Sequence, residues 1–579
     1  MYKPLSPTGP AFLLSSALVQ IIAACPWLGP SLPPPSGQYL MQAWNDVEHK
    51  ITSELSALLD PNTTSLSLQI VTASEQAPLF EFYHKATEHV FVGTDAGDEL
   101  DGETVLRIGS VTKMFTVYAL LLKCGFHCFD DPITKHVPEL LQENASGANW
   151  EDITVGALAS QMSGIGRDYA NYDVAAIYPS SYIADLGLPA VDDAAVDPPL
   201  TTAAHVPPCG YNWTDSDGCT WDEALPLIQR MHTIFEPFYS PEYSNPNYQL
   251  LGRVLESLYD HTASYEEIMR DLVYTPLNLT RTWTYAPTDA DVGTGLRAPG
   301  EAGLRSWNNS LGDEVPSGGS YMSNNDLARH LRAVMNHAQL SPVQTRRWLK
   351  PASFLGHMEG AIGMPWEIVR VDRGIKGVVD VYRKDGATPQ YGESVYGLLD
   401  GWGVGYSAIV LYGDQTTLPI ADVEEVIVAH LAAALEAAAH EQTQKVVTGR
   451  YADENENEIV LAVDEDGLYI DAWRNNGVDF LASYQRIMGA TTPTEKRFSI
   501  YPAQLEGGDD GDASLRAVYR LSPESSSEAW YGCHSWVGLD LWRYASQPLD
   551  ELVLVKDKLD GKVETVEWLG GRVRLTRAS

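Results

Sequence analysis

Positive charge is scarce in this chain: 39 Lys and Arg stand against 77 Asp and Glu, a formal net charge of −38 over 579 residues. A polyanion binder needs a positive footprint, so nucleic acid and anionic membrane surfaces are not expected partners. Long apolar runs are missing too, and no membrane span is expected, because the stretch Ala11–Ala24 is too short to cross a bilayer. The zinc-protease pattern His-Glu-x-x-His and the Gly-x-Ser-x-Gly elbow are both absent, as are internal repeats. Cysteines are few: Cys25, Cys124, Cys128, Cys209, Cys219 and Cys533. No histidine spacing accompanies them, so a zinc site is not expected, and the side-chain chemistry of the motifs needs neither a metal nor an organic cofactor.

What is present points to a secreted globular protein. Lys3, the apolar stretch, and small residues at Ala23 and Ala24 fit a signal peptide over 1–24, with a Pro-rich leader over 25–38. Ile22-Ala23-Ala24-Cys25 also looks like a bacterial lipoprotein cleavage site. Glycosylation sequons at Asn62, Asn144, Asn212, Asn278 and Asn308 favour instead a eukaryotic secretory route to a soluble product. Cys209 and Cys219 bracket a short polar loop and read as a local disulfide. Cys124 and Cys128 read either as a bridge at a helix end or as buried thiols.

At this length two domains are the default expectation. Helical periodicity marks 39–59, and Thr104–Leu122 becomes apolar on nearly every side after Lys113, as a core helix does. The Pro-, Asp- and Tyr-rich segment over 167–234 reads as an insertion or lid. Val378–Lys384 alternates as a strand, and Ser394–Leu399 and Tyr406–Tyr412 flank the hairpin signal Asp400-Gly401. From about 443 to 579 short strands separated by turns predict a small β-barrel or sandwich. The fold class expected is α+β: an antiparallel sheet flanked by helices over 39–442, with an all-β C-terminal domain.

Three short motifs carry chemistry. In Ser110-Val111-Thr112-Lys113, helical spacing puts the lysine on the serine's face, one turn on. A serine hydroxyl needs a neighbour to take its proton, and a lysine with its charge disfavoured by burial can do so. By itself the pattern also fits an N-cap serine followed by a surface lysine. In Tyr243-Ser244-Asn245, strand alternation would point Tyr243 and Asn245 the same way. The phenol suits a proton shuttle and the amide a substrate carbonyl or the lysine; a turn between two prolines is the plainer reading. In Lys384-Asp385-Gly386-Ala387, Lys384 is a candidate to bind an acyl carboxylate or tune the tyrosine. Gly386 would let substrate lie against the strand, and the Ala387 N–H would join that of Ser110 in an oxyanion hole. A solvated edge strand with a charged tip is the alternative.

In this order the motifs resemble the Ser-x-x-Lys, Tyr-x-Asn, Lys-x-Gly signature of class C β-lactamases, penicillin-binding-type serine peptidases and related esterases. Leu106-Arg107-Ile108-Gly109, Asp131-Pro132-Ile133, Ile153–Ile165 (with Gln161 where a His is usual), Tyr248–Gly252 and Pro316–Gly319 extend the resemblance. It covers about Trp44 to Ala439 and implies an acyl-enzyme on Ser110, with Lys113 and Tyr243 as proton carriers. The substrate would be an ester, amide or lactam of a small molecule or peptide. Transesterification or peptide cyclisation in a small-molecule pathway is a second outcome of the same chemistry, and a catalytically silent scaffold a third. Asp385 departs from the family's usual small residue. Facing the groove, it would favour uncharged esters over penicillins; alternation along the strand allows it to face away instead. The sequence leaves the oligomeric state open.

Overall fold

A computed structural model describes residues 32–578 apart from 94–98, 142–147, 190–206, 212–216, 289–292, 358–359, 373–377, 400, 413–417, 466, 488–496, 508–511, 521–539 and 558–560. The signal peptide over 1–24, Cys25, Cys533 and the sequons at Asn144 and Asn212 therefore lie outside the described residues. The described chain forms two compact units. One contains Trp44–Arg370 and Asp380–Ala432, and the other draws on the described residues within Met1–Ala43, Val371–Val379 and Ala433–Ser579.

The larger unit is built on an eight-stranded antiparallel sheet. Its order is Phe80–His84, Thr64–Thr72, Val404–Tyr412, Gly392–Leu399, Val378–Thr388, Glu367–Asp372, Gly360–Ile362, Ser353–Phe354. The expected hairpin around 400–401 pairs Leu399 with Val404. Thr64–Thr72 is buried at every position, as a strand covered on both faces must be. A second sheet of five short strands includes Val105–Arg107, which pairs with Tyr321–Ser323.

Helix Thr112–Cys124 is the centre of this unit. Every residue from Thr112 to Leu121 is buried, including Lys113. Burying side chains such as Met114, Phe115 and Leu120 contributes roughly 1.5–3 kcal/mol each, enough to carry a buried lysine among them. The helix stops at Gly125, whose φ of +59° suits glycine. Near the N-terminus, the single helix expected over 39–59 is two, Gly37–Asn45 and Glu48–Leu58. The insertion contains short helices Val174–Ile177, Ser180–Asp185 and Trp221–Gln229, and Cys209 is bonded to Cys219. Cys124 and Cys128 are bonded to each other at the helix end.

The other unit carries a nine-stranded sheet, and pairing of Glu458–Asp464 with Gly467–Asn475 closes it on itself as a barrel. Trp473, Phe480 and Trp568 meet with ring centroids 4.5–4.8 Å apart and form its core. Strands Glu551–Lys556 and Val563–Trp568 fall where the alternation puts them. Helix Phe480–Ile487 has no counterpart in that pattern.

Candidate active site

Strand Val105–Arg107 runs into a tight turn, Gly109–Val111, that opens the buried helix. Ser110 sits in this turn, two residues before the helix. Two glycines let the turn press against strand Val378–Thr388. A Cβ on Gly386 would lie 2.2 Å from the Ile108 carbonyl oxygen and 2.8 Å from the Ser110 nitrogen. A Cβ on Gly109, whose φ is +48°, would lie 3.0 Å from the Ala387 nitrogen. No side chain fits at either place. The Ser394 hydroxyl ties the two segments by donating to the Ile108 carbonyl at 2.7 Å. The Ser110 and Ala387 N–H groups are thereby brought to one place, with Ala387 exposed.

Lys113 donates to Ser110 Oγ at 3.1 Å, Asn245 Oδ1 at 2.8 Å and the Ser317 carbonyl at 2.7 Å. These partners use all three donors of an ammonium. The Tyr243 hydroxyl donates to Ser110 Oγ from the other side at 2.7 Å. Tyr243 and Asn245 do converge, but not by strand alternation. Asn245 has helical backbone angles, although a following proline disfavours them, and Pro246 immediately after it starts helix Pro246–Ser257. Buried Gln161 holds this approach, accepting from the Ser244 N–H and from Asn247 Nδ2, both at 2.9 Å.

Electrostatics divides these groups. Desolvation pulls the Lys113 ammonium down from its ordinary value, and Lys384 adds to the effect. Burial alone would raise the Tyr243 phenol, but the Lys113 and Lys384 charges outweigh it and the net shift is downward. Tyr248 also holds its ring near the Lys113 amine, at 5.2 Å against 5.0 Å for Tyr243. It is nevertheless pushed well up by burial, and its hydroxyl donates to the Ala159 carbonyl.

Lys384 is almost wholly buried, 5.2 Å from the Tyr243 ring centroid. It is ion-paired with Glu367 and donates also to the Asp385 carbonyl at 2.7 Å and to Asp385 Oδ1 at 3.4 Å. Asp385 turns its other oxygen to Arg383 at 3.0 Å. Burial would lower the Lys384 pKa, but Glu367, Tyr243 and Asp385 reverse it and hold the ammonium charged. All seven residues singled out in the sequence thus meet in one region.

The sequence did not point to three other carboxyls. Glu367 had no motif around it. Glu314, buried and hydrogen-bonded to Ser317, is pushed well up by desolvation and by Asp168. Asp168 accepts from Asn245 Nδ2 at 3.4 Å and is itself raised by burial. Pro316–Gly319, beside Glu314, was the only nearby signal. Among the described residues no group of three or more His, Cys, Asp and Glu is arranged to hold a metal.

The family model described as "Beta-lactamase" matches residues 82–416, and "Beta-lactamase-like-like, C-terminal domain" matches 439–579. A "Beta-lactamase-like protein" of Arthroderma benhamiae is 28% identical over 562 residues, covering 90% of this chain and 89% of that one. A "Probable hydrolase M10" of Phoma sp. is 25% identical, over 89% of this chain and 84% of its own. Among solved structures, a penicillin-binding protein homologue from Pyrococcus abyssi aligns with 92% of this chain and 99% of its own, at 17% identity and a TM-score of 0.47. With its first family match spanning more than half its length, the chain belongs to the beta-lactamase family of hydrolases.

Proposed function

We propose that the chain is a serine hydrolase that forms an acyl-enzyme on Ser110 with an ester, amide or lactam. The observation that carries this reading is the convergence of two proton carriers on one hydroxyl, Lys113 Nζ at 3.1 Å and Tyr243 OH at 2.7 Å from Ser110 Oγ. Once the phenol has given its proton to solvent water the same contact reverses, and Ser110 donates to Tyr243. Ser110 Oγ then bonds to the carbonyl carbon as its proton passes to Tyr243. The oxyanion rests on the Ser110 and Ala387 N–H groups. Its collapse breaks the bond to the leaving oxygen or nitrogen, which takes the proton back from Tyr243. Water then bonds to the acyl carbon as its proton passes to Tyr243, and collapse breaks the Ser110 Oγ–carbon bond, releasing the acid as Tyr243 returns that proton to Ser110 Oγ. Asn245 orients the Lys113 amine. The leader and the Cys209–Cys219 bond support secretion as the setting.

A fluorophosphonate probe tests the assignment. It should label the purified protein stoichiometrically, with the adduct on the peptide containing Ser110, and leave Ser110→Ala unlabelled. Full labelling of Ser110→Ala, or an adduct on Ser163 or Ser244, overturns it.

A further inference from the structure

The Lys384 ammonium is the buried cation nearest the reacting groups after Lys113, yet nothing of it is left for a substrate. Its donors go to Glu367, the Asp385 carbonyl and Asp385 Oδ1. A carboxylate arriving from water would have to compete with all three, and displacing Glu367 would leave a largely buried acid without its cation, which is costly. Nor is there spare charge beside it. Arg383 lies 2.8 Å from Glu424, 3.0 Å from Asp385 and 3.9 Å from Glu367, so two cations face three carboxyls. Arg167, whose guanidinium sits 4.9 Å from the Tyr243 ring centroid, is exposed and screened by solvent. The net charge of −38 repels anions at longer range.

We infer that Glu367 sets the class of acyl donor: by saturating Lys384 it restricts the site to esters or amides with no carboxylate beside the scissile bond. The inference rests on the Ser110 reading above. Glu367 rather than Asp385 is the principal neutralising group. Its carboxylate pairs with the lysine and also accepts from the Asp385 N–H at 3.0 Å, whereas the Asp385 side chain is 44% exposed and shared with Arg383. The two possibilities left open for Asp385 by strand alternation resolve into this lateral, ion-paired position.

The test compares two esters with the same scissile bond, neutral phenyl acetate and anionic 3-acetoxybenzoate, on wild type, Glu367→Gln and Asp385→Asn. Wild type should favour phenyl acetate by about 10-fold in kcat/KM beyond the ratio in alkaline buffer, the scale of one partly screened unit charge. Added salt should narrow that gap. Glu367→Gln should close it by roughly 10-fold, mainly through KM for the anion, and Asp385→Asn by less. Wild type turning over both esters equally overturns the proposal. So does an unchanged ratio in Glu367→Gln that still labels on Ser110. If Glu367→Gln does not fold, an unchanged ratio in Asp385→Asn overturns it as well. Selective loss of the anionic ester in Arg167→Gln would also refute it, by revealing a carboxylate seat elsewhere. No labelling and no turnover of either ester would be a different failure, that of the Ser110 reading, and it takes this proposal down too.

Discussion

The helix that carries Lys113 and the strand that carries Lys384 bring the same side chain to the same tyrosine with opposite results. Both amines are buried, and each lies about 5 Å from the Tyr243 ring. On the helix the partners are a hydroxyl, an amide and a backbone carbonyl, all uncharged, so desolvation wins and the charged form is disfavoured. On the strand the Glu367 carboxyl pairs with the amine directly, and the charge is held. One lysine is thereby suited to exchange a proton, the other to supply a fixed positive potential. Burial alone decides neither outcome; the partner does.

Exchanging the lysines' roles is the harshest way to break this comparison. Lys113→Met should cost about 10^3–10^4-fold in kcat/KM, because it removes the proposed proton carrier in contact with the proposed nucleophile. Lys384→Met should cost about 10- to 100-fold, since Tyr243 loses only an electrostatic neighbour. Steady-state kinetics on a neutral ester separates the two, and equal losses would end the distinction. Next in size is Gly386→Ala, whose Cβ must push the Ser110 turn away from the strand. A loss of roughly 10^2-fold in kcat with a smaller change in KM is expected, as for a misplaced oxyanion donor. The smallest expected effect is on pH. Removing Glu367 leaves the Lys384 charge less compensated, so in Glu367→Gln the Tyr243 phenolate is favoured further. The rising limb of the kcat/KM profile should then move to lower pH.

The sequence exposed the halves of the site that are local and hid those that arise from packing. Ser110 and Lys113 are one helical turn apart, and Lys384, Gly386 and Ala387 share one strand, so periodicity alone orders them. The antiparallel sheet, the 399–404 hairpin and the last strands of the barrel were legible for the same reason. Glu367 is on the strand next to Lys384, and only the strand order brings them together. Asp168 and Glu314 are single acids in unremarkable surroundings, gathered at Asn245 and Ser317 by tertiary packing. Tyr243 and Asn245 converge although the backbone is not the extended one that alternation predicts: Asn245 is helical and Pro246 starts a helix. Asp385 was noticed because it departs from a familiar motif; Glu367, which matters more to the lysine, departs from none.

Desolvation lowers the Lys113 ammonium, the two lysine charges lower the Tyr243 phenol, and together they ready the pair to take the Ser110 proton. The pH dependence of Ser110 phosphonylation tests this readiness most directly, because it reads the nucleophile without any choice of substrate. Both partners are shifted down from ordinary values of 10.5 and 10.0, so the second-order labelling rate should rise with pH along a limb centred below pH 10. That limb should disappear in Tyr243→Phe. A limb at or above pH 10 in wild type, or the same limb surviving in Tyr243→Phe, would contradict the account.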